Sequence, residues 1–257
     1  MILDCHVHLP SPGRGITWEW RSCTPDVAAA ARYLRRCGVD RALANSMRGE
    51  LARTPEEMQA GNDEALAAAR QYPDLFLPAC LINTDLGDEA LAEIHRCREA
   101  GVVWIGELCG YAGGYRYDTD GFRKAAELAA DLNMVVQIHN DDTRDMDRLC
   151  MESPKTTWVL AHLGDSPQEC LARCELAAKH RHLFLDICGH GFQRMGILEY
   201  AVECATPDRV LFGSDYTIND PAGVIIRVQR ADFDDATKAK ILGGNAARML
   251  AERGARL

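Results

Sequence analysis

Two histidines spaced two apart, His6 and His8, stand in the opening segment MILDCHVHLP. On an extended strand alternate side chains share a face, so both imidazoles turn to one side and can meet one cation. Glu107, His139, His162 and Asp215 follow at wide intervals. Imidazole and carboxylate donors without a thiolate cluster suit zinc, manganese or ferrous iron at an open catalytic centre. A divalent cation held there lowers the pKa of bound water to about 7 and polarises a carbonyl or phosphoryl oxygen, which is the chemistry of a metal-dependent hydrolase. Singly, each residue has a plainer reading: a strand-end histidine can cap a carbonyl, and Asp215 can be the N-cap of a helix.

What joins the six is the elements that carry them. Short β-rich apolar runs occur at 2–7, 39–44, 75–82, 102–108, 134–138, 158–161, 183–187 and 210–212. Segments of helical period lie between them at 25–37, 55–71, 88–100, 121–132, 167–179 and 220–230, and a last helix is expected at about 236–252. Strict alternation predicts a parallel sheet, since parallel neighbours need a helical crossover. No GxGxxG turn follows the first run, which counts against an open dinucleotide-binding sheet. A chain of 257 residues matches one (β/α)8 barrel of about 250. The expectation is therefore an α/β fold, a single TIM barrel spanning 1–257, whose reactive groups sit at the C-terminal ends of the strands.

On that rim His6 and His8 close strand one, Glu107 strand four, His139 strand five and His162 strand six, while Asp215 follows strand eight. Alternation sends Cys5 to the barrel exterior and brings Asp4 to the histidine side, where it either orients an imidazole or caps the strand start. Cys109 can look inward but is read as packing, as are Cys170 and Cys174 on their helix.

Composition excludes other classes. With 47% hydrophobic and 26% charged residues the chain can bury a large core, so disorder is not in contention. A net charge of -9 opposes a nucleic-acid backbone. Neither an export signal nor an apolar span of about 18 residues is read from the sequence. The eleven cysteines are scattered and odd in number, which points to reduced thiols and a cytoplasmic location.

The segments DCHVHL, GEL, IHN, AHLGD, FGSDY and GGNAARML together resemble the amidohydrolase superfamily, in its amidohydrolase-2 branch of TIM-barrel metal hydrolases, over nearly the whole chain. The stretch from IGEL through ELAADLNMVVQIHN also resembles TatD-type deoxyribonucleases. The resemblance implies that His6 and His8 bind one metal, that His139 and His162 bind a second, and that Glu107 holds the bridging position. It implies that Asp215 contacts the activated hydroxide, takes its proton and passes it to the leaving group. In one-metal members His139 completes the single site and His162 is catalytic instead.

Loops after the strands carry Trp18, Trp20, Arg21, Arg48, Tyr111, Tyr115, Arg116, Arg144 and His190. Of these, Arg21, Arg48, Tyr111, Arg116, Arg144 and His190 are expected to bind substrate, and arginines at a metal rim suit a small anion. The expected activity is hydrolysis of a small anionic ester, lactone or amide by a metal-activated hydroxide. Non-oxidative decarboxylation of a small unsaturated or aromatic acid with one metal is the alternative, ahead of a TatD-like nuclease and a non-catalytic metal binder. Zinc is expected, two ions rather than one, with manganese or iron left open. The partner is a small molecule, with no nucleic acid or membrane, and a homo-oligomer is left open.

Overall fold

Each of the eight apolar runs becomes a strand. In the computed structural model, which describes residues 1–11, 16–18 and 21–255 and only the backbone of 16–18 and 21–24, they are β1 (Leu3–Leu9), β2 (Arg41–Ser46), β3 (Phe76–Pro78), β4 (Trp104–Cys109), β5 (Val135–His139), β6 (Thr157–Leu160), β7 (Leu183–Asp186) and β8 (Val210–Leu211). They pair in parallel as two arcs, β1 to β3 and β4 to β8, each in chain order. The arcs join at both seams. Cys80 bridges to Ile105 and Val7 to Tyr216, and the Cys80 and Cys5 amides donate to the carbonyls of Trp104 and Phe212 at 2.9 and 3.0 Å. The closed sheet is a TIM barrel, as expected.

The outer helices start where their caps dictate. Asp26 caps Val27–Arg36, Thr54 caps Pro55–Gln71 with proline in the first turn, and Ser166 and Glu169 form a reciprocal capping box for Pro167–Lys179. Two further helices, Thr143–Glu152 and Ile197–Ala205, take their places in the ring. Among the described residues no helix is long and apolar enough to cross a membrane.

Two local features depart from expectation. A short antiparallel hairpin, Ile16–Trp18 with Arg21–Thr24, follows β1. The single last helix expected at 236–252 is divided into Asp235–Ala239 and Asn245–Ala251 by a wider turn at Lys240–Gly244. The Ile241 carbonyl in that turn accepts the Phe212 amide at 2.9 Å, so the helix opens where it serves the end of β8.

The core has two layers. The larger packs strand residues such as Val7, Ile105, Val136 and Leu185 against the outer helices. The smaller holds Leu3, Cys5, Leu43, Leu77, Trp104, Val135, Val159 and Leu211 with only the last helix, at Ala246, Met249 and Leu250. It therefore fills the barrel and is closed from below by the chain's end. Cys5 belongs to this inner layer, which corrects the expectation that it faces outward. The pairing of β1 with β2 shifts register between Asp4 and Val7, and that irregularity breaks the alternation, so Cys5 lies inside beneath His6 and His8.

Candidate metal centre

β1 delivers His6 and His8, and both rings are buried with their Nε2 atoms 3.0 Å apart. The opposite nitrogens are committed. His6 Nδ1 lies 2.8 Å from Asp186 Oδ2, and Gln137 Nε2 donates to the same oxygen at 2.8 Å. Gln137 is itself fixed by the Trp104 indole N–H, 2.9 Å from its Oε1. His8 Nδ1 sits 2.9 Å from Asn45 Oδ1 and 3.0 Å from Glu50 Oε2. Each ring therefore donates from Nδ1 and presents a lone pair at Nε2.

Glu107 enters from β4 between two pairs of histidines. Its Oε2 is 3.2 Å from His6 Nε2 and 3.6 Å from His8 Nε2. Its Oε1 is 3.1 Å from His139 Nδ1 and 3.2 Å from His162 Nε2. What brings it there is Gly106, whose φ of +117° lies where L side chains rarely go. A Cβ on that residue would stand 2.2 Å from the Gln137 carbonyl oxygen of β5. His139 ends β5 and His162 follows β6, with 3.1 Å between His139 Nδ1 and His162 Nε2.

Asp215 completes the group from the loop after β8. Its Oδ1 lies 3.2 Å from His8 Nε2 and 3.7 Å from His6 Nε2, and Oδ2 accepts the Asn219 side-chain amide at 2.9 Å. Both Asp215 and His162 hold positive φ, +59° and +65°. Backbone conformations of this kind cost on the order of 1–3 kcal/mol each and persist where the surroundings impose them.

The donors fit a divalent cation. Two lone pairs face each other at His6 and His8, two carboxylates point among them, and the buried Asp215 Oδ1 has no hydrogen-bond partner. Such an arrangement is satisfied only by positive charge in its midst. The surrounding carboxylates favour positive charge on the rings as well. Burial alone would lower His6, yet Glu107 and Asp186 hold it well above the ordinary histidine value. His8 is raised likewise against burial, by Glu50, Asp215 and Glu107. Burial would raise Glu107, but His6, His139 and His162 keep it well below the usual carboxylate range. His6, His8, Glu107 and Asp215 form one donor group and Glu107, His139 and His162 another.

The family model described as Amidohydrolase matches residues 3–251. The chain belongs to the amidohydrolase family. No curated protein matches it. Among solved structures, the amidohydrolase barrel is similar to a dihydroxybenzoic acid decarboxylase from Polaromonas sp. JS666 with bound manganese and 2-nitroresorcinol, at 15% identity and a TM-score of 0.77, covering 99% of this chain and 98% of that one. It is similar to a 2,6-dihydroxybenzoate decarboxylase from Rhizobium, at 14% identity and a TM-score of 0.75, covering 98% and 99%. A 5-carboxyvanillate decarboxylase from Sphingomonas paucimobilis matches at 15% identity and a TM-score of 0.76, covering 97% and 98%. At these identities the likeness is one of fold.

All six expected donors thus converge, while the expected substrate residues divide. Tyr111 is exposed and sets its ring edge-on to His139, centroids 5.1 Å apart. His190 stands 6.2 Å from the His162 ring. Arg48, Arg116 and Arg144 pair with Glu64, Asp118 and Asp142, as His190 does with Asp165. Tyr115 is buried. The side chains of Trp18 and Arg21, and all of Trp20, lie outside the described residues. Asp4 meets the His6 backbone amide at 3.1 Å and both the amide and hydroxyl of Ser214, so the carboxylate that orients the imidazole is Asp186. Cys109 is buried, and the Cys170 thiol donates to the Gly164 carbonyl at 3.3 Å.

Several supporting residues escaped the sequence reading. Asp186 ends β7 and the rim rule could have found it. Arg173 gives no such signal, being one more arginine on a helix. It is fully buried, and its guanidinium donates to the carbonyls of Ala161, His162 and Asn140 at 2.8, 3.0 and 3.0 Å and to Asp141 Oδ1 at 2.9 Å. It ties together the loops that carry His139 and His162. Cys188 Sγ lies 3.0 Å from His6 Nδ1 and 3.3 Å from His162 Nδ1.

Proposed function

We propose that this amidohydrolase is a metal-dependent hydrolase of a small anionic ester, lactone or amide. His6, His8 and Asp215 would hold one divalent cation, taken here as zinc, and His139 and His162 a second, with Glu107 offering an oxygen to each. The observation that carries this reading is the division of Glu107, one oxygen 3.2 Å from His6 Nε2 and the other 3.2 Å from His162 Nε2. Divalent cations bound there supply Lewis acidity and bring the pKa of water to about 7.

The remaining steps belong to the chain. Burial would raise the Asp215 carboxyl, but His8, His6 and His162 hold it below its ordinary value, so it is ionised and able to accept a proton. Asn219 orients the carboxylate through Oδ2, and Asp215 would take the proton of the attacking water and pass it to the leaving group. Asp186, Asn45 and Glu50 keep the His6 and His8 lone pairs turned inward. Tyr111 and His190, the rim side chains beside His139 and His162, are the first candidates for contact with substrate. A reducing cytoplasm suits ten described cysteines that are all unbridged.

Decarboxylation of a small aromatic acid is the second reading, favoured by three similar structures whose names are those of aromatic-acid decarboxylases. Elemental analysis of wild type and Glu107→Gln, followed by product analysis on a panel of lactones, esters, amides and aromatic acids, separates the two. A loss of one metal or more per chain in Glu107→Gln relative to wild type, with a new carboxylic acid as product, supports hydrolysis. An unchanged metal count in Glu107→Gln with carbon dioxide released overturns it in favour of the lyase.

A further inference from the structure

At the opposite end of the barrel from the metal centre, three donors from different elements converge outside the strands. Cys150 comes from the last turn of Thr143–Glu152, His180 terminates Pro167–Lys179, and His182 immediately precedes β7. One donor atom from each lies within 4.8 Å of the other two. The two imidazoles are splayed at 70° with centroids 5.7 Å apart, and Asp147, one turn before Cys150, places Oδ1 2.5 Å from His180 Nε2.

We propose that Cys150, His180 and His182, with Asp147 as fourth donor, form a separate tetrahedral zinc site that clamps the end of Thr143–Glu152 to the start of β7. One sulfur, two ring nitrogens and one carboxylate oxygen are a donor set zinc accepts, and the site is closed, with Cys150 and His180 both buried. Bonds of about 2.0–2.3 Å set tetrahedral donors roughly 3.3–3.7 Å apart, so the Cys150, His180 and His182 atoms need to draw in by about an ångström, and Asp147, now in contact with His180 alone of the three, has to swing in with them.

Three present contacts must adjust. His182 Nε2 lies 3.1 Å from the Cys150 carbonyl, His180 Nε2 meets Asp147, and Lys179 Nζ donates to both Asp147 oxygens at 2.7 and 2.6 Å. Lys179 is the competing cation, and its half-exposed side chain can withdraw into water. Burial, with Asp147 adding to it, pushes the Cys150 thiol up to about 12. The thiol is therefore protonated until zinc arrives; the S–H bond then breaks, a Zn–S bond forms and the proton leaves to water.

The test is cobalt titration of metal-free protein, with zinc content and thermal unfolding measured in parallel. Thiolate-to-cobalt charge-transfer absorption is expected in wild type and in Cys188→Ser, the variant that removes the thiol near His6. It should vanish in Cys150→Ser and His182→Gln. Zinc content should fall by about one atom per chain in both of those variants, and Tm of the zinc-loaded protein by about 5–10 °C. Charge-transfer absorption that survives in Cys150→Ser, or unchanged zinc content in a folded His182→Gln, would overturn the site. Should Cys150→Ser fail to fold, His182→Gln carries the same readouts.

Discussion

Asp186 Oδ2 stands 2.8 Å from His6 Nδ1, on the side of the ring turned away from the other donors. The carboxylate fixes the tautomer and would raise the basicity of Nε2 toward a cation held there. Asp186→Asn keeps the shape and removes the charge, so metal affinity should fall by about 10–100-fold. Competition against a chromophoric chelator reads this directly. Unchanged affinity would reduce Asp186 to a packing residue.

Asp215→Asn should separate binding from proton transfer. His6, His8 and Glu107 remain, so most of the metal stays, while kcat drops by about 10²–10⁴. Metal content and single-turnover rates on the same preparation decide it. Full activity would refute the proton-transfer role of Asp215.

Away from the centre, Glu199 and Arg227 join two outer helices, Oε2 to Nη2 at 3.1 Å. Partial burial would raise the Glu199 carboxyl, but a backbone N–H and the Arg227 guanidinium bring it below its ordinary 4.5. A depressed carboxyl pKa stabilises above the unfolded value, and that stability disappears as pH falls through the folded one. Solvent screening limits the pair to about 0.5–1 kcal/mol. Glu199→Gln should therefore lower Tm of the metal-free protein by about 1–3 °C at pH 7. Calorimetry in increasingly acid buffer should see the gap close; a constant gap would mean that packing, not charge, is lost.

The barrel and its six donors were legible because both follow from position: apolar runs alternate with helical segments, and reactive side chains fall where runs end. Cys5 was misread because alternation assumes an unbroken pairing, whereas β1 shifts register between Asp4 and Val7. Gln137 and Arg173 were invisible for a different reason. Their roles come from what lies across the barrel or beneath the neighbouring loop, the Trp104 indole for one and the Asn140, Ala161 and His162 carbonyls for the other. Nothing in either residue's own neighbourhood in the sequence marks them.

Gly106 tests whether the close approach of β4 to β5 holds Glu107 in place. A methyl group there meets the Gln137 carbonyl oxygen at 2.2 Å and its carbon at 2.9 Å, on backbone whose φ is +117°. Gly38 shares only the second penalty, with φ +85° and nothing within 4 Å of a built Cβ. Gly38→Ala should thus cost about 1–2 kcal/mol, the ordinary strain of positive φ. Gly106→Ala adds a backbone collision that only displacement of β5 relieves, and should cost about 3 kcal/mol or more. On a chain of this length the two correspond to Tm losses of about 2–8 °C and at least 6 °C. Because β5 carries Gln137 and His139, Gly106→Ala should also weaken metal binding, which Gly38→Ala should leave alone. Equal Tm losses with undisturbed metal affinity would mean that β4 itself yields, and that the strand contact does not position Glu107.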